Sequence, residues 1–263
     1  MNYSFRVLFV VAEASPLIKV GGLGDVAGAL PLALRRIGHD IRIVMPRYGI
    51  INLDDHQCIW QECFDIPFID GQESVGLTEV LLKDGTPVYL VENDRYFGRK
   101  AVYGEQDDLE RFLLFSLAVM EVPKMLRWQP DVLHCHDWHA GMVPALLNVA
   151  YKNDPFCSSC ASVFTIHNLT YQGWFARRAR LYEYLPPQGN PLCKSTYSLT
   201  GLGIYHSDII STVSRTYARE ILTPEYGVGL EVLLQRRNGS LFGILNGVDY
   251  GQFAPATDCI ISA

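Results

Sequence analysis

Residues 7–46 read VLFVVAEASPLIKVGGLGDVAGALPLALRRIGHDIRIVMP, and this stretch decides the fold class. Val7 to Ala12 is a short continuous apolar run, the pattern of a strand buried on both faces. Gly24 to Ile37 has helical periodicity and stops at Gly38, a natural C-terminal breaker. Asp40 to Met45 is a second buried strand. Strand, glycine-rich loop, helix and strand together open a parallel sheet. In the loop, Gly21, Gly22 and Gly24 leave the backbone bare enough for a ligand to approach closely. The helix start offers unpaired N–H groups and a positive dipole end, which suits a phosphate, and Lys19 adds a mobile charge beside it. Asp25 falls in the first helical turn, where a carboxylate favours the dipole or hydrogen-bonds a polyol. Such turns also occur simply to let a helix pack closely. The spacing is neither G-x-G-x-x-G nor G-x-x-x-x-G-K-[ST], so neither dinucleotide binding nor a P-loop follows.

Working outward, Tyr48 to Glu92 changes character. The runs CIWQECFDIPF, SVGLTEVLL and TPVYLVEN, separated by Asp-Gly turns, predict antiparallel hairpins inserted in or added to the parallel sheet. A long helix is expected from about Asp107 to Trp128, bent at Pro123. Strand Val132 to Cys135, helix Gly141 to Tyr151 and strand Ser162 to Ile166 follow. A polar, irregular stretch rich in aromatics and prolines comes next. Ile209 to Val213 is a strand, Thr216 to Leu222 and Gly229 to Arg236 are helical, and Leu241 to Leu245 is a last strand. The expected fold is one doubly wound α/β domain over residues 1–263, with no internal repeat and no linker. Ligands of such sheets bind beyond the carboxyl ends of the strands. Glu13 through Gly24, His136 through His139, His167 with Asn168, Ser214, and Asn246 through Asp249 all fall there, which predicts one common cleft.

Bulk properties narrow the function classes. The 263 residues carry a formal net charge of −6 with 19% charged residues, which argues against a nucleic-acid surface. The apolar run near the N-terminus is short, begins with one positive charge and ends at Glu13, so it reads as a buried strand and not a signal peptide. No segment approaches the length of a membrane span. The seven cysteines are scattered, which points to a reducing compartment, and a cytoplasmic location is expected. Cys157 and Cys160 make one C-x-x-C with no second pair for a structural zinc, and it precedes a strand instead of opening a redox helix.

DVLHCHDWHAG brings His134, His136 and His139 close in sequence, with Asp137 between them. Metal ligation is disfavoured because the three straddle a strand end and a turn. His134 is expected to pack in the sheet and Asp137 to cap the next helix. His136, at the strand exit, is placed to hydrogen-bond a substrate hydroxyl with one nitrogen and its scaffold with the other. FTIHNLTYQGWF repeats the design one strand later: His167 and Asn168 at the mouth, then Tyr171, Gln172, Trp174 and Phe175. Aromatic faces beside amides suit sugars, and they also suit a packed loop. Asp107 and Asp108 begin a helix, where acidic residues need no role beyond the dipole. They do not flank a bond from opposite sides, so glycosidase chemistry is rejected. G-x-S-x-G is missing.

These pieces in this order resemble the bacterial glycogen synthase and plant starch synthase family. The matches are KVGGLGDVAGALP, YGEQDDLERF, DVLHCHDWHAG, FTIHNLTYQGWF, IISTVSRTYAREI, the GLEVLLQRR run and GILNGVD, spread over almost the whole chain. Two departures are VSRTYA, where the family usually has VSPTYA, and LTGLGIYHSD, which lacks the usual basic residue before that glycine. The resemblance implies a GT-B glycosyltransferase of two Rossmann-like domains, of which this chain would be the N-terminal, acceptor-side one, without the second, nucleotide-binding domain. It implies transfer of glucose from ADP-glucose, or UDP-glucose, to the non-reducing end of an α-1,4-glucan with retention, and no metal or other cofactor. It places Lys19, Gly21, Gly22 and Asn246 at the donor, with Asn246 to Asp249 at the crossing into the second domain. His136, Asp25 and Asp107 would stand at the transferred glucose or acceptor. His167, Asn168, Tyr171 and Gln172 would border the acceptor groove. The isolated chain is then expected to have little or no activity. Two readings compete: a non-catalytic glucan-binding or regulatory module, and a nucleotide-dependent oxidoreductase. The missing G-x-G-x-x-G counts against the oxidoreductase.

Overall fold

The computed structural model describes residues 3–54, 56–69, 71–175, 183–184 and 198–248. β1 (Arg6–Val10) leads through the glycine loop to α1 (Gly22–Arg36) and β2 (Asp40–Pro46). β3 (Cys58–Phe68), β4 (Gly71–Leu81) and β5 (Pro87–Glu92) follow, then the long helix α2 (Asp108–Met125). β6 (Val132–His136), a 3-10 turn (Trp138–Ala140), α3 (Met142–Val149) and β7 (Ala161–Ile166) form the next unit. After them come α4 (Leu199–His206), β8 (Ile209–Thr212), α5 (Arg215–Glu220), α6 (Glu231–Arg236) and β9 (Leu241–Gly243).

One sheet holds all nine strands in the order β3-β4-β5-β2-β1-β6-β7-β8-β9. From β5 to β9 every pair is parallel; β3 and β4 form an antiparallel hairpin at one edge. The hairpin is therefore added to the parallel sheet through β5, as its alternating sequence suggested. β1 pairs with β2 on one side and β6 on the other, so the chain reverses its direction of travel between β1 and β6. Right-handed crossovers leaving that point in opposite directions put α1 on one face and α3 on the other. Helix α2 packs against α3, and α3 against α4. β1 lies at the centre, with Leu8, Phe9 and Val10 wholly enclosed.

Two expectations change. Helix α2 ends at Met125 and not near Trp128; Pro123 sits inside its last turn. Trp128 lies beyond the helix and donates Nε1–H to Asp40 at 2.8 Å. The stretch expected to be irregular contains helix α4, LTGLGIYH. Seven of its eight residues are buried, so no amphipathic period marks it, and two glycines lower its propensity. Ser198 begins it by accepting from Gly201 N at 3.0 Å.

Candidate functional site

The direction reversal falls between the carboxyl ends of β1 and β6, the place where doubly wound sheets bind their ligands. One wall is the glycine turn before α1. Glu13 leaves the end of β1, is buried, and turns its carboxylate onto that turn. It accepts from Val20 N and, at 3.1 and 3.2 Å, from Gly21 N. Burial raises its pKa, and the backbone donors, Gly24 among them, oppose the rise. The N–H of Gly21, expected to face a phosphate, thus already holds an anion from the chain itself. At Gly22, a Cβ would meet nothing within 4 Å, so open space remains beside the helix start. Lys19 is not a free charge: its Nζ lies 2.7 Å from Asp25 Oδ1 in a part-exposed pair.

The other wall is built by the ends of β6 and β7. His136, the last residue of β6, is fully buried instead of standing at the mouth. Its ring packs on Phe9 and His134 with centroids 4.1 and 4.2 Å away. Its Nδ1 lies 2.9 Å from Nε2 of His167, and its own Nε2 has no hydrogen-bond partner. Burial drives its pKa well down, so the ring is neutral near pH 7. His134 packs in the sheet as expected, with Nε2 at 2.7 Å from Thr165 Oγ1.

Asp137 does not cap the following turn. It adopts φ 54 and ψ −176, an unusual conformation for a residue with a side chain. That twist sends its carboxylate across to β7, where Oδ1 accepts from His167 N at 2.7 Å and Asn168 N at 3.3 Å. Its own N–H donates to Thr165 O at 3.0 Å. Burial raises the carboxyl to about 7 against those donors, with Glu13 adding a smaller push. Tyr103, reaching in from the segment before α2, lies close enough to feel Glu13, Asp137 and Tyr171. Burial first and those charges second push its hydroxyl up to about 12. His139 is buried between Tyr103, Phe112 and Trp138 with neither ring nitrogen partnered. Among the described residues, no group of three or more His, Cys, Asp or Glu is placed to hold a metal ion.

The remaining expected residues are placed unevenly. Asp107 precedes α2 and is clamped by both terminal guanidinium nitrogens of Arg99 at 2.6 and 2.7 Å, which holds its carboxyl below the usual range. Asn168 is exposed, and its Oδ1 accepts from Thr170 N at 2.9 Å. Tyr171 is 66% exposed, and Trp174 is 54% exposed while Phe175 is buried. Gln172 is no free amide: it is buried, donating to Val228 O at 3.0 Å and accepting from Ser198 Oγ at 3.3 Å. Asn246 is exposed beyond β9, the outer edge of the sheet. Four strand spacings separate β9 from β1, about 19 Å at about 4.8 Å each. Asn246 therefore does not join Lys19, Gly21 and Gly22 within this sheet; Asp249 lies outside the described residues. Local pattern gave no hint of Arg99 or Tyr103. Arg111, fully buried, holds Asp108 and the carbonyls of Tyr96 and Ala101, and so locks the segment that carries both.

With this geometry in place, comparison with known proteins is informative. The family model for the starch synthase catalytic domain matches residues 6–236. The chain is 41% identical over 271 residues to a glycogen synthase of Desulforudis audaxviator, covering 96% of this chain and 53% of that protein. It is 42% identical over 263 residues to a glycogen synthase of Clostridium beijerinckii, covering 97% and 55%. Among solved structures, the catalytic domain of starch synthase IV from Arabidopsis thaliana bound to ADP and acarbose aligns with a TM-score of 0.84 and 32% identity. That alignment covers 98% of this chain and 54% of the other. The chain thus spans about half the length of the curated relatives it matches.

Proposed function

The chain belongs to the glycogen and starch synthase family of glycosyltransferases, and we propose that it is the acceptor-side half of a retaining glucosyltransferase. The reaction is transfer of glucose from ADP-glucose to the non-reducing end of an α-1,4-glucan. The observation that carries this reading is the meeting of the carboxyl ends of β1 and β6, the first followed by the α1 amide terminus and the second ending in the unpartnered Nε2 of His136. ADP in the similar starch synthase IV structure supports an adenine nucleotide as the donor.

The chemistry asks for two things at once, a stabilised oxocarbenium-like centre and a neutralised departing diphosphate. Fixed dipoles and positioned cations supply both without a nucleophilic carboxylate. In this chain the free N–H groups at the start of α1, beside Gly22, face the leaving phosphate, and Lys19 turns to it from Asp25. His136 meets a hydroxyl of the transferred glucose once the site opens. Tyr171 and Asn168, both exposed at the β7 exit, border the acceptor. Asp25 and Asp107 line the sugar subsite only if their cations, Lys19 and Arg99, let go, so in the resting chain they act through those pairs.

We place the rest of the donor pocket in the half of the relatives' length that this chain does not span. A radiolabelled-glucose assay with ADP-glucose and maltooligosaccharide tests this, run on the chain alone and on the chain supplied with the C-terminal half of a relative. Turnover is expected only in the second case, and K19A should then weaken the donor. Full turnover by the chain alone overturns the division of labour. The occupied Gly21 N–H and the Lys19–Asp25 pair favour one second reading, a glucan-binding module without transfer. Oligosaccharide binding with no activity in either case would establish it.

A further inference from the structure

His167 was expected to border the acceptor, yet its ring nitrogen is committed inward, 2.9 Å from His136 Nδ1. Two neutral imidazoles in contact share one proton. Either His167 donates and His136 carries its proton on Nε2, or the reverse holds and His136 offers a bare lone pair. Nothing else touches the His136 polar atoms, since Nε2 has no partner. His167 alone therefore sets what His136 presents. The position of His167 is in turn set by Asp137, whose carboxylate takes the N–H groups of both His167 and Asn168. Asp137 holds a left-handed φ of 54 to do so. Strain of that kind persists where the surrounding contacts over-determine it.

We propose that Asp137 and His167 are positioning residues: Asp137 fixes the β7 exit, and His167 Nε2–H donates to His136 Nδ1, so that His136 presents an N–H to an oxygen of the sugar. This direction leaves both rings with the proton on Nε2, the tautomer that free neutral histidine favours. It also leaves His136 Nε2–H as a buried donor lacking an acceptor, a deficit that a ligand oxygen makes good. The inference rests on the proposed function only for the identity of that oxygen.

The test is the histidine tautomer itself, read by long-range proton–nitrogen correlation on the 15N-histidine-labelled chain, with His136 assigned by loss of its signals in H136N. Wild type should show His136 protonated on Nε2. H167L, which leaves both His136 nitrogens without a partner, should relax it to the mixture of free neutral histidine, in which some Nδ1–H form appears beside the favoured Nε2–H. H167Q, whose amide nitrogen reaches as far as Nε2, should restore Nε2–H. D137A should behave like H167L, and D137N, which keeps an acceptor oxygen, like wild type. His136 protonated on Nδ1 in wild type, or unchanged in H167L, overturns the proposal. If D137A fails to fold, H167L and H167Q decide alone. In the completed enzyme H167L should lower kcat about 100-fold with KM little changed, the scale of a small misplacement, and H167Q should recover most of it. The predicted tautomers without any transferase activity would refute the proposed reaction and leave the positioning pair standing.

Discussion

At the scale of single residues, the exits of β6 and β7 hold groups whose protonation burial has shifted. Burial holds His134 and His139 at about 3 and His167 at about 4, below the usual 6.5, and His136 lower than usual as well. Unfolding frees these rings to take up protons between about pH 3 and 6.5. Stability from them therefore rises with pH through that window and is complete above 6.5. Asp137 works the other way. Its carboxyl is raised from 3.8 to about 7, so the folded chain binds the extra proton between those values and its contribution falls as pH rises. Denaturant midpoints measured from pH 4 to 8 should show the wild type losing stability on acidification below 6.5. D137N should gain on the wild type steadily as pH rises from 4 to 7. A constant difference between the two across that range would show that Asp137 is ionised throughout. Asp137 also marks where sequence reading stopped. Its position after a strand suggested a helix cap, because caps are local. The positive φ and a partner 30 residues away are not written in any neighbouring residue.

At the scale of elements, aspartates splice neighbouring interior strands at both their amino and carboxyl ends. Asp131 accepts from Arg6 N at 2.7 Å at the start of β1, and Asp208 accepts from Ser162 N at 2.7 Å at the start of β7. Asp137 does the same at the far end of β7. Helix contacts divide the glycines into two kinds. A Cβ on Gly141 would lie 2.1 Å from Leu199 O, because α3 and α4 start backbone to backbone. Gly22 has free space and no positive φ. G141A should therefore lose about 1–3 kcal/mol in urea unfolding, while G22A should stay within about 0.5 kcal/mol of wild type. In the completed enzyme G22A should still weaken ADP-glucose about tenfold or more, since the added methyl sits where the phosphate approaches. Equal stability losses in the two variants would remove the distinction. Helix α1 was legible because its apolar stripe and terminal Gly38 are local signals. Helix α4 was not, because a helix buried on nearly every side has no polar face to show.

At the scale of the molecule, a single apolar cluster runs from Val7 to Leu234 and includes both the hairpin strands and the crossover helices. Unfolding should therefore be one cooperative step. Circular dichroism and tryptophan fluorescence should give coincident curves, since Trp60 reports the hairpin edge and Trp128 and Trp138 the centre. An early fluorescence phase would show the β3–β4 hairpin coming away first. The sequence by itself determined the order of the strands and of every helix but α4, the glycine turn, and which polar residues lie at the carboxyl ends of strands, because periodicity and chain breakers are local properties. Only the tertiary structure decided which of those ends meet. Strand order brings β1, β6 and β7 side by side and leaves β9 with Asn246 at the rim. It joins His136 to His167 and spends Glu13, Lys19, Asp107 and Gln172 on internal partners. Hydrogen-bond partners are set by strand order, register and the turn angles between strands, and those are fixed only when the whole sheet has closed on its core.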